Sequence, residues 1–195
     1  SWAGAMGQTQ FLPDNYIRLA VDQNGDGVVD IWGSDADSLG SAANLLADAG
    51  WKRGQGWAYE VSLPTGFDYS QAEGPRHPWS FWSQRGVRLT NGVVLSAAEA
   101  GEQATLLLPQ GAAGPAFLAL PNHYVLRRYN NSVSYALAIG LIADGVQGKP
   151  SLVANWPDDA PLSLNQRMNA QRALARLGFD PGGIDGVIGS GSRAA

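Results

Sequence analysis

The feature that most constrains the fold is the segment 22–30, DQNGDGVVD, which places oxygen-bearing side chains at every second position. A calcium ion takes about six to eight oxygen ligands, and a tight loop supplies them from alternate side chains and a backbone carbonyl. Gly27 stands at the sixth loop position, where the turn is sharpest. The sequence therefore predicts a structural calcium loop of the EF-hand type. Its first, third, fifth and seventh positions are Asp22, Asn24, Asp26 and Val28.

The loop departs from the usual pattern at its twelfth position, because Gly33 cannot supply the carboxylate that normally completes the ligand shell. A later acid has to take that place, and Asp35 and Asp37 are the two candidates. Asp37 also precedes a helical pattern as a candidate N-cap. An Asx-rich turn that binds no metal is the alternative interpretation of the whole segment.

Composition excludes several classes of function. The chain has 195 residues, 45% of them hydrophobic, and a formal net charge of −4 without a basic patch, so nucleic-acid binding is not expected. The absence of cysteine excludes disulfides, zinc–thiolate sites and thiol nucleophiles. The longest apolar stretch, 135–143, is much shorter than the roughly 20 residues that span a bilayer.

The two histidines, His77 and His123, lie far apart and lack the spacing of a metal-binding helix. His123 is predicted to be a packed or hydrogen-bonded loop residue. The four glutamates are predicted to lie on the solvated surface, as glutamates usually do. They are Glu60, Glu73, Glu99 and Glu102.

Periodicity and capping signals predict an α+β domain. Helices are expected from Pro13 to about Leu19, from Ser38 to a cap at Gly50, and over 132–142. Short apolar runs between them predict strands. These runs are 57–63, 93–95, 105–108 and 117–120.

Beyond this domain the composition changes. Residues 146–161 are rich in proline, glycine and charge, which is typical of an exposed linker. Ser163 and Gln166 then form a capping box that starts a helix ending before Gly178. The predicted organisation is a main domain at 1–147, a linker at 148–161 and a small module at 162–195, whose final helix is expected to be cut short, so that the chain is a fragment.

Several segments together resemble the B-type family of bacterial membrane-bound lytic murein transglycosylases. They are the opening SWAGAMG (1–7), QFLP (10–13), the loop 22–30, GSAAN (40–44), and RYN (128–130) with Tyr135. The resemblance implies a lysozyme-like α+β domain with an EF-hand-like calcium site in which Asp37 is the late ligand. The tail 174–195 resembles an all-α, three-helix peptidoglycan-binding module.

Members of this family cleave the β-1,4 bond between N-acetylmuramic acid and N-acetylglucosamine without water, leaving a 1,6-anhydro sugar. One glutamate carries both proton transfers, so the carboxylate pair of hydrolytic glycosidases is not required. The resemblance places that glutamate upstream of Ser1. This segment alone is therefore expected to be inactive.

The resemblance also assigns the substrate contacts. Ser1 and Gln10 would hydrogen-bond the catalytic carboxylate or the sugar, Tyr129 and Asn130 would line the sugar cleft, and Tyr135 would add a contact. Local sequence leaves other roles open, with Ser1 in a turn, Tyr129 a packed aromatic and Asn130 a helix cap.

The expected partner is the glycan strand of peptidoglycan, and the expected location is the bacterial periplasm or the outer membrane. A monomer is expected, with membrane contact only through an upstream lipid anchor. One competing hypothesis is a non-catalytic, calcium-stabilised wall-binding protein. Another is a lysozyme-type hydrolase, which would produce reducing ends.

Overall fold

The computed structural model describes residues 2–158, 161–189 and 192. Its centre is a four-stranded antiparallel sheet in the order β2-β1-β4-β3. The strands are β1 (Ala58–Ser62), β2 (Arg88–Leu89), β3 (Thr105–Leu107) and β4 (Ala116–Ala119). The helices are α1 (Pro13–Leu19), α2 (Asp35–Asp48), α3 (Trp79–Gln84), α4 (Ala97–Gly101), α5 (Pro121–Tyr129), α6 (Val133–Val146) and α7 (Leu164–Arg176).

Both faces of the sheet are covered, which explains why β4 is an unbroken apolar run. Alternate side chains of a strand point to opposite faces. Leu118 packs with Trp82 of α3 on one face, and Phe117 packs with Leu126 of α5 and Ala136 of α6 on the other. All four residues of β4 are buried. The sheet thus anchors α5 and α6 in fixed positions.

A third core cluster holds the loop 22–30 between α1 and α2. Phe11, Leu19, Ile31 and Leu45 are buried together there. Gly50 follows the C-cap of helix α2, and its φ of +93° allows the Trp51 amide to donate to the Leu46 carbonyl at 3.0 Å, as in a Schellman motif. The predicted helix pair around the loop is confirmed.

One predicted strand is wrong. Residues 93–95 form no strand, and the side chain of Val94 is 88% exposed. The fourth strand is instead the two-residue β2, which pairs with β1 on the side away from β4, with Leu89 opposite Val61. A strand of this length shows no periodicity that a sequence could reveal.

Part of the predicted linker contacts the sheet. The backbone amides of Val153 and Ala154 donate to the Glu60 carboxylate at 2.9 and 2.8 Å, and Asn91 donates to the Ser151 carbonyl at 3.1 Å. The helix α7 then begins with the predicted capping box at Ser163. No helix within the described ranges has both the length and the apolarity needed to cross a bilayer.

Candidate functional site

A cleft of about 580 Å³ lies where α2, α5 and α6 meet the loop that precedes α1. Its walls combine aliphatic side chains with amides and two tyrosines. The lining residues are Gln8, Thr9, Gln10, Leu39, Ala42, Leu46, Leu126, Tyr129, Asn130, Tyr135 and Ile139. Four predicted substrate contacts, Gln10, Tyr129, Asn130 and Tyr135, therefore lie together, and the fifth, Ser1, lies outside the described residues.

Tyr129 connects helix α5 to the loop that carries Gln10. Its hydroxyl donates to the Thr9 carbonyl, and its ring meets Phe11 edge-on at 6.3 Å between centroids. Burial raises the pKa of this phenol, so it stays protonated and can keep donating. The tyrosine is thus both a packed aromatic and a cleft residue.

Gln10 adopts a backbone conformation that is uncommon for a residue with a Cβ. Its φ is +54°, within a tight turn closed by reciprocal Met6–Phe11 hydrogen bonds of 2.9 Å. The side-chain amide donates to the Gly7 carbonyl at 3.0 Å. Unusual backbone geometry held by its surroundings is frequent at ligand sites. The turn places the Gln10 amide at the cleft.

Asn130 and Tyr135 mark the corner between α5 and α6. Asn130 is the C-cap residue of α5, with its amide donating to the Leu126 carbonyl, and its side chain is exposed to the cleft. Tyr135 follows one turn into α6, which the Ser132 hydroxyl caps. Asn130 can therefore end helix α5 and line the cleft at the same time.

A second cavity of about 590 Å³ adjoins the cleft and shares Leu46, Leu126 and Ile139 with it. It contains Glu99, which is buried rather than solvated as predicted. Burial alone would raise the pKa of this carboxyl, but donors from Gly56, Tyr59 and Ser96 hold it at about 2. Burial and the Glu99 charge in turn raise the pKa of the Tyr59 phenol. A carboxylate this acidic cannot act as a general acid near neutral pH.

The surface prediction is also wrong for Glu60, whose side chain is buried. Its oxygens accept the Val153 and Ala154 amides and the Thr90 hydroxyl, the last at 3.0 Å. Glu73 is exposed, and Glu102 pairs with Lys52. The sequence carried a signal for Glu99, since Ser96 and Glu99 form a capping box, but none for Glu60.

The loop 22–30 is wound around the Asp22 carboxylate. One oxygen accepts the amides of Gly25 at 2.7 Å and Asp26 at 3.2 Å, and the other accepts Gly27 at 2.7 Å. Gly25 and Gly27 have φ of +79° and +90°, which glycine adopts without strain. The Asp22 carboxylate therefore holds the loop closed through three backbone amides.

Asp37 reaches the loop from helix α2 and is fully buried. Its carboxylate accepts the Asp30 amide at 3.0 Å, the Gln23 amide at 2.9 Å and the Asn24 amide at 3.2 Å. These bonds, led by that from Asp30, lower its pKa against the effect of burial. The N-cap prediction for Asp37 is wrong, because Ser34 caps α2 and accepts the Asp37 amide.

The donor set of the loop fits a hard cation. Asp22 and Asp26 offer carboxylates, Asn24 an amide oxygen and Val28 a carbonyl, and oxygen donors of this kind suit calcium. The part of the chain that the structure describes contains no cluster of three or more His, Cys, Asp or Glu side chains that could hold a metal. A cation here would therefore depend on the amide and carbonyl oxygens as well as on the two carboxylates.

The domain combines a small antiparallel sheet covered by helices with a cleft between α2, α5 and α6, which is a lysozyme-like α+β architecture. The chain belongs to the transglycosylase SLT domain family, whose model matches residues 1–144.

Individual relatives agree with this assignment. The chain is 34% identical over 152 residues to membrane-bound lytic murein transglycosylase B of Escherichia coli K12. The aligned region covers 75% of this chain and 39% of the relative. It superposes with a TM-score of 0.85 on SltB3 from Pseudomonas aeruginosa in complex with NAG-anhNAM-pentapeptide, at 52% identity, covering 100% of this chain and 52% of that one.

A further match is the Escherichia coli lytic transglycosylase Slt35 in complex with calcium. Its TM-score is 0.61 at 32% identity, covering 75% of this chain and 45% of that one. The chain thus spans about half the length, or less, of the relatives it matches.

Proposed function

We propose that this chain forms part of a peptidoglycan lytic transglycosylase, which cleaves the β-1,4 bond between N-acetylmuramic acid and N-acetylglucosamine without water and leaves 1,6-anhydro ends. The observation that carries the proposal is the single cleft that gathers Gln10, Tyr129, Asn130 and Tyr135. Family membership and relatives with the same activity in their names support it.

The chemistry of the cleft suits binding and orientation of a sugar. The amides of Gln10 and Asn130 can donate to and accept from sugar hydroxyls, and the tyrosine rings offer flat apolar faces. None of the residues that line the described cleft is a carboxylate. That the acid–base glutamate precedes Ser1 stays a prediction.

The activity test uses protein expressed from its complete coding sequence. Purified peptidoglycan is digested, and the products are identified by mass spectrometry. Muropeptides with 1,6-anhydro ends are the expected result. Reducing ends would indicate a hydrolase instead, and binding to the wall without any products would favour the non-catalytic wall-binding protein.

Shortening Gln10 should weaken catalysis without unfolding the chain. Gln10→Asn keeps an amide and a residue type that tolerates positive φ, but withdraws the amide from the cleft by one methylene. Loss of one well-placed hydrogen bond to the sugar should lower kcat/KM roughly tenfold. Gln103→Asn, at an exposed position outside the cleft lining, is the matched control. Equal kcat/KM for the two variants would remove Gln10 from the site.

We also propose that the loop 22–30 binds a structural calcium ion through Asp22, Asn24, Asp26, Val28 and Asp37. The wound backbone and the oxygen donors support this, as does the calcium complex of Slt35. Asp37 already accepts three backbone amides, so its main contribution would be to hold the loop in shape.

Calcium should therefore raise the melting temperature of the chelator-treated protein. A ligand that binds only the folded state contributes roughly 3 kcal/mol at a concentration one hundredfold above its Kd. Asp26→Asn should lose most of the calcium-dependent shift, whereas Asp14→Asn, in the first turn of α1, should keep it. A melting temperature that does not respond to millimolar calcium would contradict the site.

Residues 162–195 are proposed to form a small all-α peptidoglycan-binding module. The buried Gln171 of α7 organises its described part, because its side-chain oxygen accepts the Gly186 amide at 2.8 Å and its nitrogen donates to the Val187 carbonyl at 3.2 Å. Most of the last residues of the module lie outside the described part. We further propose that the enzyme is a monomer that acts on glycan strands in the bacterial periplasm or at the outer membrane, as the names of its relatives suggest for the substrate and the membrane.

A further inference from the structure

A third cavity, of about 350 Å³, lies on another side of α5 from the cleft. Successive helical residues are about 100° apart, so Tyr124 and Arg127 point away from Leu126, which lines the cleft. The cavity is lined by Glu73, Gly74, Pro75, Arg76, Thr105, Leu107, Tyr124, Arg127 and Val133.

The cavity exists because the segment 73–77 covers the outer edge of β3 imperfectly. The Glu73 amide donates to the Leu106 carbonyl at 2.8 Å, and His77 exchanges two 2.9 Å hydrogen bonds with Ala104. Between these contacts the segment has three residues, 74–76, where the strand has only Thr105, so the segment bulges as an arch. The arch forms one wall of the cavity, and α5 forms the other.

Tyr124 forms the floor and brings two cations together. The guanidinium carbon of Arg76 lies 3.7 Å from the centroid of its ring, and that of Arg127 lies 5.9 Å from the same point. The Tyr124 hydroxyl donates to the Thr105 hydroxyl at 2.7 Å, which fixes the ring. Arg127 is oriented in turn by donating to the Asn131 side chain at 2.9 and 3.2 Å.

The local charge is unusual for this molecule. Glu73 also borders the cavity, so the two cations exceed the acid by one in a chain whose formal net charge is −4. Two oriented guanidinium groups beside a hydroxyl are suited to a carboxylate, which they can bind through paired hydrogen bonds.

We infer that this cavity binds a carboxylate of the peptide that peptidoglycan sugars carry. The inference rests on the proposed function and adds a peptide subsite to the sugar cleft. The two sites meet at the corner between α5 and α6, where Asn130 and Tyr135 face the cleft while Arg127 and Val133 face the cavity. A five-residue peptide extends up to roughly 17 Å, which is enough to pass a helix of about 10 Å diameter.

The test compares two probes by isothermal titration calorimetry on the whole chain. One is the disaccharide of N-acetylglucosamine and N-acetylmuramyl-pentapeptide, and the other is the same disaccharide without the peptide. Arg76→Gln and Arg127→Gln should each raise the Kd of the peptide-bearing probe about tenfold and leave that of the peptide-free probe unchanged. Arg53→Gln, an exposed arginine outside the cavity, should change neither.

The outcomes separate this inference from the proposed function. Equal affinity of the wild-type chain for the two probes, or arginine variants that bind both as the wild type does, would overturn the peptide subsite. Failure of the peptide-free disaccharide to bind would count against the sugar cleft alone. Inorganic phosphate that binds more tightly than the peptide-bearing probe, in an Arg76-dependent way, would make the cavity a phosphate site. Arg76 lies in an exposed arch, so its variant should keep the wild-type melting temperature.

Discussion

Replacing Gly140 with alanine is expected to destabilise the protein by about 2–4 kcal/mol, because the new methyl group has no space. A Cβ at this position of α6 would lie 2.3 Å from two ring atoms of Trp57 and 2.7 Å from a third. The indole cannot move aside easily. It is 5% exposed, donates to the Asp144 carboxylate at 2.9 Å and packs beside Phe117.

The matched control is Gly145→Ala in the same helix, where a Cβ meets nothing within 4 Å. Both substitutions favour the helical conformation by up to about 1 kcal/mol. Only the first also creates a clash, so the difference between them isolates the packing against Trp57. For a chain of this size the melting temperature of Gly140→Ala should fall by roughly 5–15 °C, while that of Gly145→Ala should hold or rise.

Thermal unfolding followed by near-ultraviolet circular dichroism measures both melting temperatures. A Gly140→Ala variant as stable as the wild type would show that the sheet and α6 are less tightly coupled than the structure indicates.

The elements predicted from the sequence are those whose signals are local. Helix α1 starts at Pro13, α2 ends before Gly50, and α7 starts at the Ser163 capping box, each set by a few neighbouring residues. Strand β2 was missed because only its pairing with β1, some 27 positions earlier in the chain, makes it a strand. The apolar runs 57–63, 105–108 and 117–120 did predict β1, β3 and β4, whereas no range was predicted for helices α3, α4 and α5. Local signals therefore identified strands as well as helices.

The same distinction explains which parts of the site were predicted. The loop 22–30 carries its donors in consecutive residues, and the cleft residues were available through family resemblance. Glu60 is buried only because amides 93 and 94 residues away reach it. Arg76 and Arg127 likewise meet across the Tyr124 ring only after β3 and α5 have packed together. Contacts of this kind depend on the tertiary fold and leave no pattern in the sequence.

Acidification from about pH 6.5 to pH 4 is expected to remove up to roughly 3 kcal/mol from the free energy of unfolding, through His123 alone. Contrary to the loop prediction, this histidine lies inside α5 and is fully buried. Neither ring nitrogen has a hydrogen-bond partner in the described part of the chain, and the ring stacks against Trp57 at 6.3 Å. Burial, with a smaller contribution from the positive charge of Arg127, lowers its pKa to about 4.

The direction of the effect follows from proton uptake. In the unfolded chain the histidine binds a proton with a pKa near 6.5, whereas in the folded chain it stays neutral until about pH 4. Between these values the unfolded state binds more protons, so stability falls as the pH falls. The buried carboxylates Glu99 and Asp37, whose pKa values are lowered, lose their stabilisation only below the pKa values of unfolded Glu and Asp, about 4.3 and 3.9. The range from pH 6.5 to 5 therefore reports on His123.

His123→Leu separates this effect from general acid sensitivity. The substitution removes two buried nitrogen atoms that have no partners and replaces the imidazole with an apolar side chain of similar size. At pH 7.5 the variant should therefore be at least as stable as the wild type. Urea unfolding at intervals from pH 7.5 to pH 4.5 should give a falling free energy for the wild type and a nearly constant one for the variant down to about pH 5. His123→Phe provides a second apolar side chain if leucine packs poorly. Parallel pH curves for the wild type and both variants would mean that another group takes up the proton, whereas a gap between wild type and variants that widens as the pH falls towards 5 would identify the neutral, buried imidazole as the acid-sensitive element between the sheet and α5.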